Sequence, residues 1–215
     1  MKTVELFSGT KSFSKVAYMK GHQIFTIDNN EDLKPDSCID LLHEWNSFGF
    51  TYYIDFMWCS PPCTAFSVAS IGKNWDKETR LPKSEKAEVG LKLLENTIRM
   101  IKKFKPKYWV IENPRGMMRK VIDDLFKKHD ITNYNRQTVT YCQYGDTRMK
   151  PTDLWMNFDW KTKPMCKNGD SCHESAPRGS RTGTQGLKGN KERSVIPPAL
   201  FEELFEQIEK LGGRF

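Results

Sequence analysis

The sequence has no apolar run that approaches the roughly 20 residues of a membrane-spanning helix. Its first residues, Met1 to Phe7, become polar too soon for the apolar segment of a signal peptide. It also has no internal repeat, which argues against a solenoid or a propeller. We therefore expect a cytoplasmic protein of one domain, since 215 residues are enough to bury a full core.

The cysteines do not form a disulfide pattern, and acidic residues are fewer than basic residues. The six cysteines, at positions 38, 59, 63, 142, 166 and 172, lack the spacing of a disulfide framework. In a cytoplasmic protein they should be reduced, so each is a core residue, a ligand or a nucleophile. The 34 basic and 27 acidic residues leave a net charge of +7, which suits a polyanionic partner such as nucleic acid. A basic surface that only improves solubility would give the same excess.

Strand and helix signals alternate along the first two thirds of the chain. The patterns predict strands at 4–7, 23–27, 38–39, 53–58 and 108–111, and helices at 12–20, 83–104 and 117–129. This alternation predicts an α/β fold with a mostly parallel central sheet and helices on both faces. Strands at 137–141 and 153–158 should pair in an antiparallel or mixed manner, and a helix at 199–211 should close the chain.

Residues with chemical potential follow the predicted strands. They are Ser8-Gly9, Asp28, Asp40, Pro61-Pro62-Cys63 and Glu112-Asn113-Pro114. Ligands of open parallel sheets bind at the carboxyl ends of the strands. The sequence therefore predicts that these residues form one site along a single edge of the sheet.

Two of these residues suit covalent and acid chemistry. Cys63 follows two prolines that restrict the backbone at a strand end, where a thiolate would be a strong nucleophile. The alternative is a loop cysteine that follows prolines by chance. Glu112, if desolvated, could keep its proton and donate a hydrogen bond. The alternative there is a solvated carboxylate that caps a turn.

Two other positions suit a nucleotide-like cofactor. Gly9 stands in a turn between a strand and a helix, where phosphate- or nucleotide-bearing ligands commonly bind. Asp28 ends the second strand, where a carboxylate can accept hydrogen bonds from ribose hydroxyls. A helix N-cap is the alternative role for Asp28.

In this order the motifs resemble those of the DNA cytosine-C5 methyltransferase family. Phe7-Ser8-Gly9 resembles its cofactor motif, and Pro61-Pro62-Cys63 with Phe66-Ser67 its catalytic loop. Glu112-Asn113 resembles its Glu-Asn motif. The stretch from Tyr144-Gly145 through Arg148 and Lys150 resembles its basic motif, and Gln185-Gly186 and 194–198 resemble its last two motifs.

The resemblance implies a Rossmann-like fold and methyl transfer from S-adenosylmethionine to C5 of a flipped cytosine in duplex DNA, by a monomer. It implies catalytic roles for Cys63, Glu112 and Arg148. Cofactor contacts are implied for Phe7, Ser8, Gly9, Thr10, Asp28, Asn29, Asp40, Leu41, Pro62 and Ser194. DNA contacts are implied for Ser60, Pro61, Phe66, Ser67, Asn113, Lys150, Arg178 and Arg181.

The chain departs from the family pattern at several places. Lys11 stands where the first motif usually has a second glycine, and Pro114 where the Glu-Asn motif has valine. Arg148 and Lys150 replace a glutamine and an arginine, so the pairing of Arg148 with the family's arginine stays open. A short basic loop region, 151–193, replaces the large target-recognition domain within a single domain spanning 1–215.

These departures affect the expected substrate. The small recognition region predicts a short target sequence or low specificity, and the compact chain suits a solitary, phage-borne enzyme. Two alternatives remain: the same chemistry on RNA or a free nucleotide, and a catalytically silent module that binds nucleic acid or cofactor.

Cys166, Cys172 and His173, with Cys142 as a further ligand, are a candidate zinc site. The spacing is not one of the usual short pairs, and adjacent ligands strain tetrahedral geometry. The sequence therefore favours a turn-rich loop with incidental cysteines and no bound metal, and a structural zinc site stays open as the alternative.

Overall fold

A computed structural model describes residues 1–47, 49–174 and 189–212. Its strands are β1 (Lys2–Leu6), β2 (Gln23–Asp28), β3 (Ser37–Cys38), β4 (Phe56–Cys59), β5 (Tyr108–Pro114), β6 (Asn135–Thr140) and β7 (Pro151–Met156). Its helices are α1 (Ser12–Met19), α2 (Ile71–Asn74), α3 (Glu85–Phe104), α4 (Met118–Lys128), α5 (Asn190–Ser194) and α6 (Pro198–Lys210). Among the described helices, none combines the length and apolar character that a bilayer crossing needs.

The described strands form one seven-stranded sheet in the order β3-β2-β1-β4-β5-β7-β6. The first five strands in that order are parallel, and β7 runs antiparallel to both β5 and β6. The carboxyl ends of β1, β2, β4 and β5 therefore lie at one edge. The predicted Rossmann-like fold, with a mostly parallel sheet and an antiparallel end, is confirmed.

Alternate residues of the central strands enter two separate cores. In β4, Met57 and Cys59 pack with α3 and α4 residues, while Phe56 and Trp58 pack with α1 and α6 residues. All four are fully buried, because helices cover both faces of the sheet. A strand buried on both sides has no polar face, which explains the continuous apolar run of β4.

Several predicted boundaries need correction. The first strand ends at Leu6 because Phe7 has a φ of 58°, the left-handed conformation that turns the chain out of the sheet. The fourth strand begins at Phe56 instead of residue 53. The predicted loop region 151–193 starts with β7, and its end contains α5. The short helix α2 was not predicted.

Candidate active site

The segment after β4 is anchored to the neighbouring strands. The backbone N–H of Ser60 donates to the carbonyl oxygen of Leu6 at 3.3 Å. The side-chain amide of Asn113, at the end of β5, donates to the carbonyl oxygen of Pro61 at 2.8 Å. Because Asn113 is buried, this bond positions the Pro-Pro segment rather than leaving the amide free for a ligand. The DNA contact predicted for Asn113 stays a prediction.

A single 3₁₀ turn, Cys63–Ala65, carries the candidate nucleophile. The N–H groups of Phe66 and Ser67 both donate to the carbonyl oxygen of Cys63 at 3.0 Å. The buried Phe66 ring stacks on Trp75 with centroids 5.5 Å apart. Phe66 is thus an anchor of the turn in this structure, whereas Pro62 is exposed and Ser67 is half-buried.

A close backbone approach holds this turn against the segment that follows β5. The N–H of Met117 donates to the carbonyl oxygen of Phe66 at 2.8 Å. A Cβ atom placed on Gly116 would lie only 2.1 Å from that oxygen. Position 116 therefore has to be glycine. The sequence analysis missed this residue, although the glycine shortly after the Glu-Asn motif was a visible signal.

Glu112 is a buried carboxyl group with defined partners. The Tyr141 hydroxyl donates to Oε1 of Glu112 at 3.0 Å, and both side chains are buried. Burial raises the pKa of Glu112 above its ordinary value, while Lys150 and the hydrogen bonds from Tyr141 and Ser60 act in the opposite direction. Glu112 is therefore biased towards the protonated form, which can donate a hydrogen bond.

The Cys63 thiol shares an electrostatic environment with Glu112. Burial raises the pKa of Cys63, and the nearby charge of Glu112 raises it further, whereas Lys150 lowers it. Burial lowers the pKa of Lys150, and Glu112 and Cys63 both oppose that shift. The Lys150 ammonium group donates to the carbonyl oxygen of Arg193 at 3.0 Å and lies 4.9 Å from the Tyr141 ring centroid. A nucleophile, a carboxyl group and a cation thus form one site.

Arg148 faces the protein interior. Its guanidinium group forms an ion pair with Asp146, with one N–O contact from Nε at 2.8 Å. It also donates to the carbonyl oxygens of Glu192 and Arg193, each at 3.3 Å, and of Val195 at 3.0 Å. Arg148 therefore ties the chain around α5 to the segment before β7. Its contact with a base or phosphate stays a prediction, and this placement favours Lys150 for that role.

The turn after β1 is tied to the end of β2. The N–H of Gly9 donates to Oδ2 of Asp28 at 2.9 Å, and the N–H of Asn30 donates to Oδ1 at 3.0 Å. Gly9 has a φ of 44°, which glycine adopts without steric cost. The Ser8 hydroxyl is buried and has no hydrogen-bond partner among the described residues. A polar ligand beside this turn would satisfy it.

Lys11 takes the backbone conformation that a glycine would provide. It precedes α1 with a φ of 55° and a ψ of 40°, in the left-handed region. Its ammonium group donates to the carbonyl oxygen of Lys34 at 2.5 Å. Lys11 therefore holds a left-handed conformation before α1 and links this turn to the segment after β2.

The remaining predicted cofactor residues lie on the same side of the sheet edge. Oδ1 of Asp40 accepts from the N–H of Leu42 at 2.9 Å, and Leu41 is buried. Thr10 shares a hydrogen bond with Ser12, whose hydroxyl also accepts from the N–H of Ile196 at 3.2 Å. The chain thus returns to the β1 turn two residues after the exposed Ser194. Asn29 is also exposed.

Some of the residues and motifs named from the sequence fall in the part of the chain that the structure does not describe. Arg178, Arg181 and the Gln185-Gly186 pair lie outside the described residues. The DNA contacts predicted for Arg178 and Arg181 stay predictions.

The cysteines of the loop after β7 are not scattered. Ligand atoms of Cys142, Cys166, Cys172 and His173 all lie within 4.8 Å of one another. The four residues therefore lie together although Cys142 comes from a distant part of the chain, and the prediction that they bind no metal stays a prediction.

Comparison with known proteins gives a consistent picture. Residues 1–140 match the family model described as C-5 cytosine-specific DNA methylase. A protein of Frog virus 3 (isolate Goorha), described as a probable DNA (cytosine-5)-methyltransferase, is 30% identical over 229 aligned residues. That alignment covers 96% of this chain and 99% of the viral protein.

Solved structures resemble the chain at lower identity. The methyltransferase EhMeth of Entamoeba histolytica matches with 16% identity and a TM-score of 0.49, over 76% of this chain and 55% of that one. The Dnmt2 methyltransferase of S. pombe matches with 14% identity and a TM-score of 0.45, over 75% of this chain and 51% of that one. The chain therefore spans about half the length of these solved structures.

Proposed function

The chain belongs to the C-5 cytosine-specific DNA methylase family and is a DNA (cytosine-5)-methyltransferase, and from this premise we propose how it acts. It transfers the methyl group of S-adenosylmethionine to C5 of a cytosine through a covalent adduct on Cys63. The observation that carries this proposal is the placement of Cys63 in the turn that follows β4 and of the buried Glu112 near the end of the neighbouring parallel strand β5.

Cys63 and Glu112 both act in the first step, Cys63 as the nucleophile and Glu112 as the group that binds the cytosine ring. C5 of cytosine is a poor nucleophile, so the Cys63 sulfur attacks C6 and forms a bond that displaces the C5–C6 π electrons into the ring. Glu112 donates a hydrogen bond to N3 and accepts one from the exocyclic amine, which stabilises the charge that develops there. Burial raises the pKa of Glu112 and so favours the protonated form that makes this contact.

The second step uses the activated ring. S-adenosylmethionine supplies an electrophilic methyl group when it is bound. C5 of the cytosine would take that methyl group and leave the cofactor as a neutral thioether. Solvent water would then accept the C5 proton, and the electron pair of the broken C–H bond would re-form the C5–C6 double bond. The bond between C6 and Cys63 breaks in the same step and restores the thiolate.

The turn after β1 fits a cofactor with a nucleoside and a charged amino-acid part. The Ser8 hydroxyl is an unsatisfied donor there, and each Asp28 oxygen accepts one backbone hydrogen bond, so lone pairs remain for ribose hydroxyls. Phe7, Asp40 and Leu41 follow the ends of β1 and β3 at the same edge. These residues, with Gly9 and Thr10, would hold the cofactor.

The half-buried Cys63 and the buried Glu112 bear on the form of the substrate. A base stacked inside a duplex cannot reach the Cys63 thiol at the carboxyl ends of the parallel strands, so the cytosine has to be flipped out. Lys150 would then lie beside the flipped base or its phosphate. A monomeric, cytoplasmic enzyme acting on duplex DNA remains our proposal.

The change Lys150→Met should shift the titration of Cys63 to higher pH. Lys150 lowers the pKa of this thiol, so its removal raises the pKa and leaves less thiolate at any given pH. The rate of Cys63 alkylation by iodoacetamide, followed by peptide mass spectrometry across a pH series, measures this directly. The midpoint should move towards alkaline pH.

Lys107→Met is the matched control for that experiment. Lys107 also lies over a tyrosine ring, 5.1 Å from the Tyr108 centroid, but it stands at the opposite end of β5. Its removal should leave the alkylation midpoint of Cys63 unchanged. An unchanged midpoint in Lys150→Met would instead show that Lys150 does not act on Cys63.

A methyl-transfer assay tests the function as a whole. The full chain is incubated with tritiated S-adenosylmethionine and duplex DNA, tRNA or deoxycytidine monophosphate, and DNA products are mapped by bisulfite sequencing. We expect label in duplex DNA at short sites. Transfer only to tRNA or to the nucleotide would contradict the DNA substrate, and cofactor binding without any transfer would indicate a silent module.

A further inference from the structure

Four side chains with metal-binding atoms converge beside the turn that follows β6. Cys142 belongs to that turn, and Cys166, Cys172 and His173 come from the loop after β7. Cys142 and Cys166 are buried, and the other two are half-buried. All three sulfur atoms and the imidazole Nδ1 lie within 4.8 Å of one another. No methyl-transfer step described above uses them.

The distances fit a tetrahedron around one ion. A Zn–S bond of about 2.3 Å places two tetrahedral sulfur ligands roughly 3.8 Å apart. The Cys142 and Cys172 sulfur atoms are 3.7 Å apart, and His173 Nδ1 lies 3.8 Å from Cys166 Sγ and 3.6 Å from Cys172 Sγ. The Cys142 and Cys166 sulfur atoms are closer, at 3.1 Å, but still far beyond the roughly 2.05 Å of a disulfide.

The surroundings of the four ligands support a closed site. The Gln143 amide donates to Cys172 Sγ at 3.4 Å, a contact that favours a thiolate. The N–H of Cys166 donates to the Thr140 hydroxyl at 3.0 Å, which holds the loop against β6. Nδ1 of His173 is turned to the sulfur atoms, so with an ion bound there the ring proton would be on Nε2, which is buried and has no hydrogen-bond partner among the described residues.

We propose that Cys142, Cys166, Cys172 and His173 bind one structural zinc ion. Three thiolates and an imidazole form a ligand set that selects zinc over the hard cations, and four protein ligands leave no open position for catalysis. Binding releases the protons of the three thiols. Spacing along the chain did not favour this site, because Cys142 stands 24 residues before Cys166 and only the fold brings it to the other three ligands.

The ion would join the loop after β7 to the segment that contacts Glu112. Cys142 directly follows Tyr141, whose hydroxyl donates to Glu112. The loop also contacts this region through the N–H of Lys163, which donates to the Tyr144 hydroxyl at 3.0 Å. Zinc would thus fix the loop that replaces the family's recognition domain onto the segment that carries Tyr141.

Metal analysis of the full chain tests the proposal. Protein purified under reducing conditions without chelator should contain about one zinc per chain by inductively coupled plasma mass spectrometry. Replacement by Co²⁺ should give the intense visible absorption of a tetrahedral site and a sulfur-to-cobalt charge-transfer band. Cys166→Ser should lose both signals, while the matched Cys38→Ser variant, an exposed free cysteine, should keep them.

Three results would overturn the proposal. The first is wild-type protein that takes up no stoichiometric zinc after loading under reducing conditions. The second is a Cys166→Ser variant that binds cobalt with an unchanged spectrum. The third is a Cys142–Cys166 disulfide in protein never exposed to chelator. If Cys166→Ser proves insoluble, the zinc content per chain and the cobalt spectrum of the wild-type protein decide whether the four residues bind one ion.

Discussion

Cys63→Ala is expected to abolish methyl transfer to DNA. Without the sulfur atom no bond to C6 can form, C5 stays a poor nucleophile, and the expected loss is at least about 10⁴-fold. Single-turnover assays with tritiated S-adenosylmethionine measure it. Cofactor affinity should stay close to that of the wild type, because the turn after β1 and the end of β2 are joined by hydrogen bonds that do not involve Cys63.

A trapping experiment separates a covalent role from a positioning role. DNA with 5-fluorocytosine at the target cannot lose a proton from C5, so the wild type should form a complex that survives denaturation. Cys63→Ala should form none, while Cys38→Ala, which removes an exposed thiol, should behave as the wild type. Methylation retained in Cys63→Ala would remove Cys63 from the mechanism.

Gly116→Ala is expected to damage both stability and activity. The added Cβ would lie 2.1 Å from the Phe66 carbonyl oxygen, so the turn that carries Cys63 has to move and its bond from Met117 has to lengthen. Overpacking of this kind costs about 2–3 kcal/mol of unfolding free energy. A displacement of about 1 Å at the nucleophile lowers the rate by roughly 100-fold.

Gly72→Ala provides the matched control. It makes the same chemical change in the nearby helix α2, where the added Cβ would meet no heavy atom within 4 Å. Alanine is the better helix former, so its unfolding free energy should be unchanged or up to about 1 kcal/mol higher. Thermal unfolding and single-turnover rates of both variants compare them directly. Equal behaviour of the two variants would refute the close approach at Gly116.

The elements of the fold were predictable because their signals are local. A central strand such as β4 is buried on both faces and reads as a continuous apolar run, and α3 repeats its apolar residues at helical spacing. Element ends were less predictable. Phe7 reads as part of the strand by its apolar character, but its left-handed backbone depends on the turn that joins β1 to Asp28.

The pairing of Cys63 with Glu112 also followed from the sequence. β4 and β5 are neighbouring parallel strands, so the residues that follow them share one edge of the sheet. The sequence did not decide whether Arg148 or Lys150 is the cation of this site. Both are cations in the same short stretch, and only the packing shows that Asp146 and the carbonyl groups around α5 engage Arg148.

The sequence by itself determined the alternation of strands and helices, the placement of Cys63 and Glu112 at strand ends, and the order of motifs that marks the family. These properties depend on residue type and on spacing along the chain. Tertiary structure decided the rest: glycine at position 116, Lys150 as the cation beside Cys63, and the convergence of Cys142 with His173. Each of those depends on distances between atoms far apart in sequence, which only the folded chain defines.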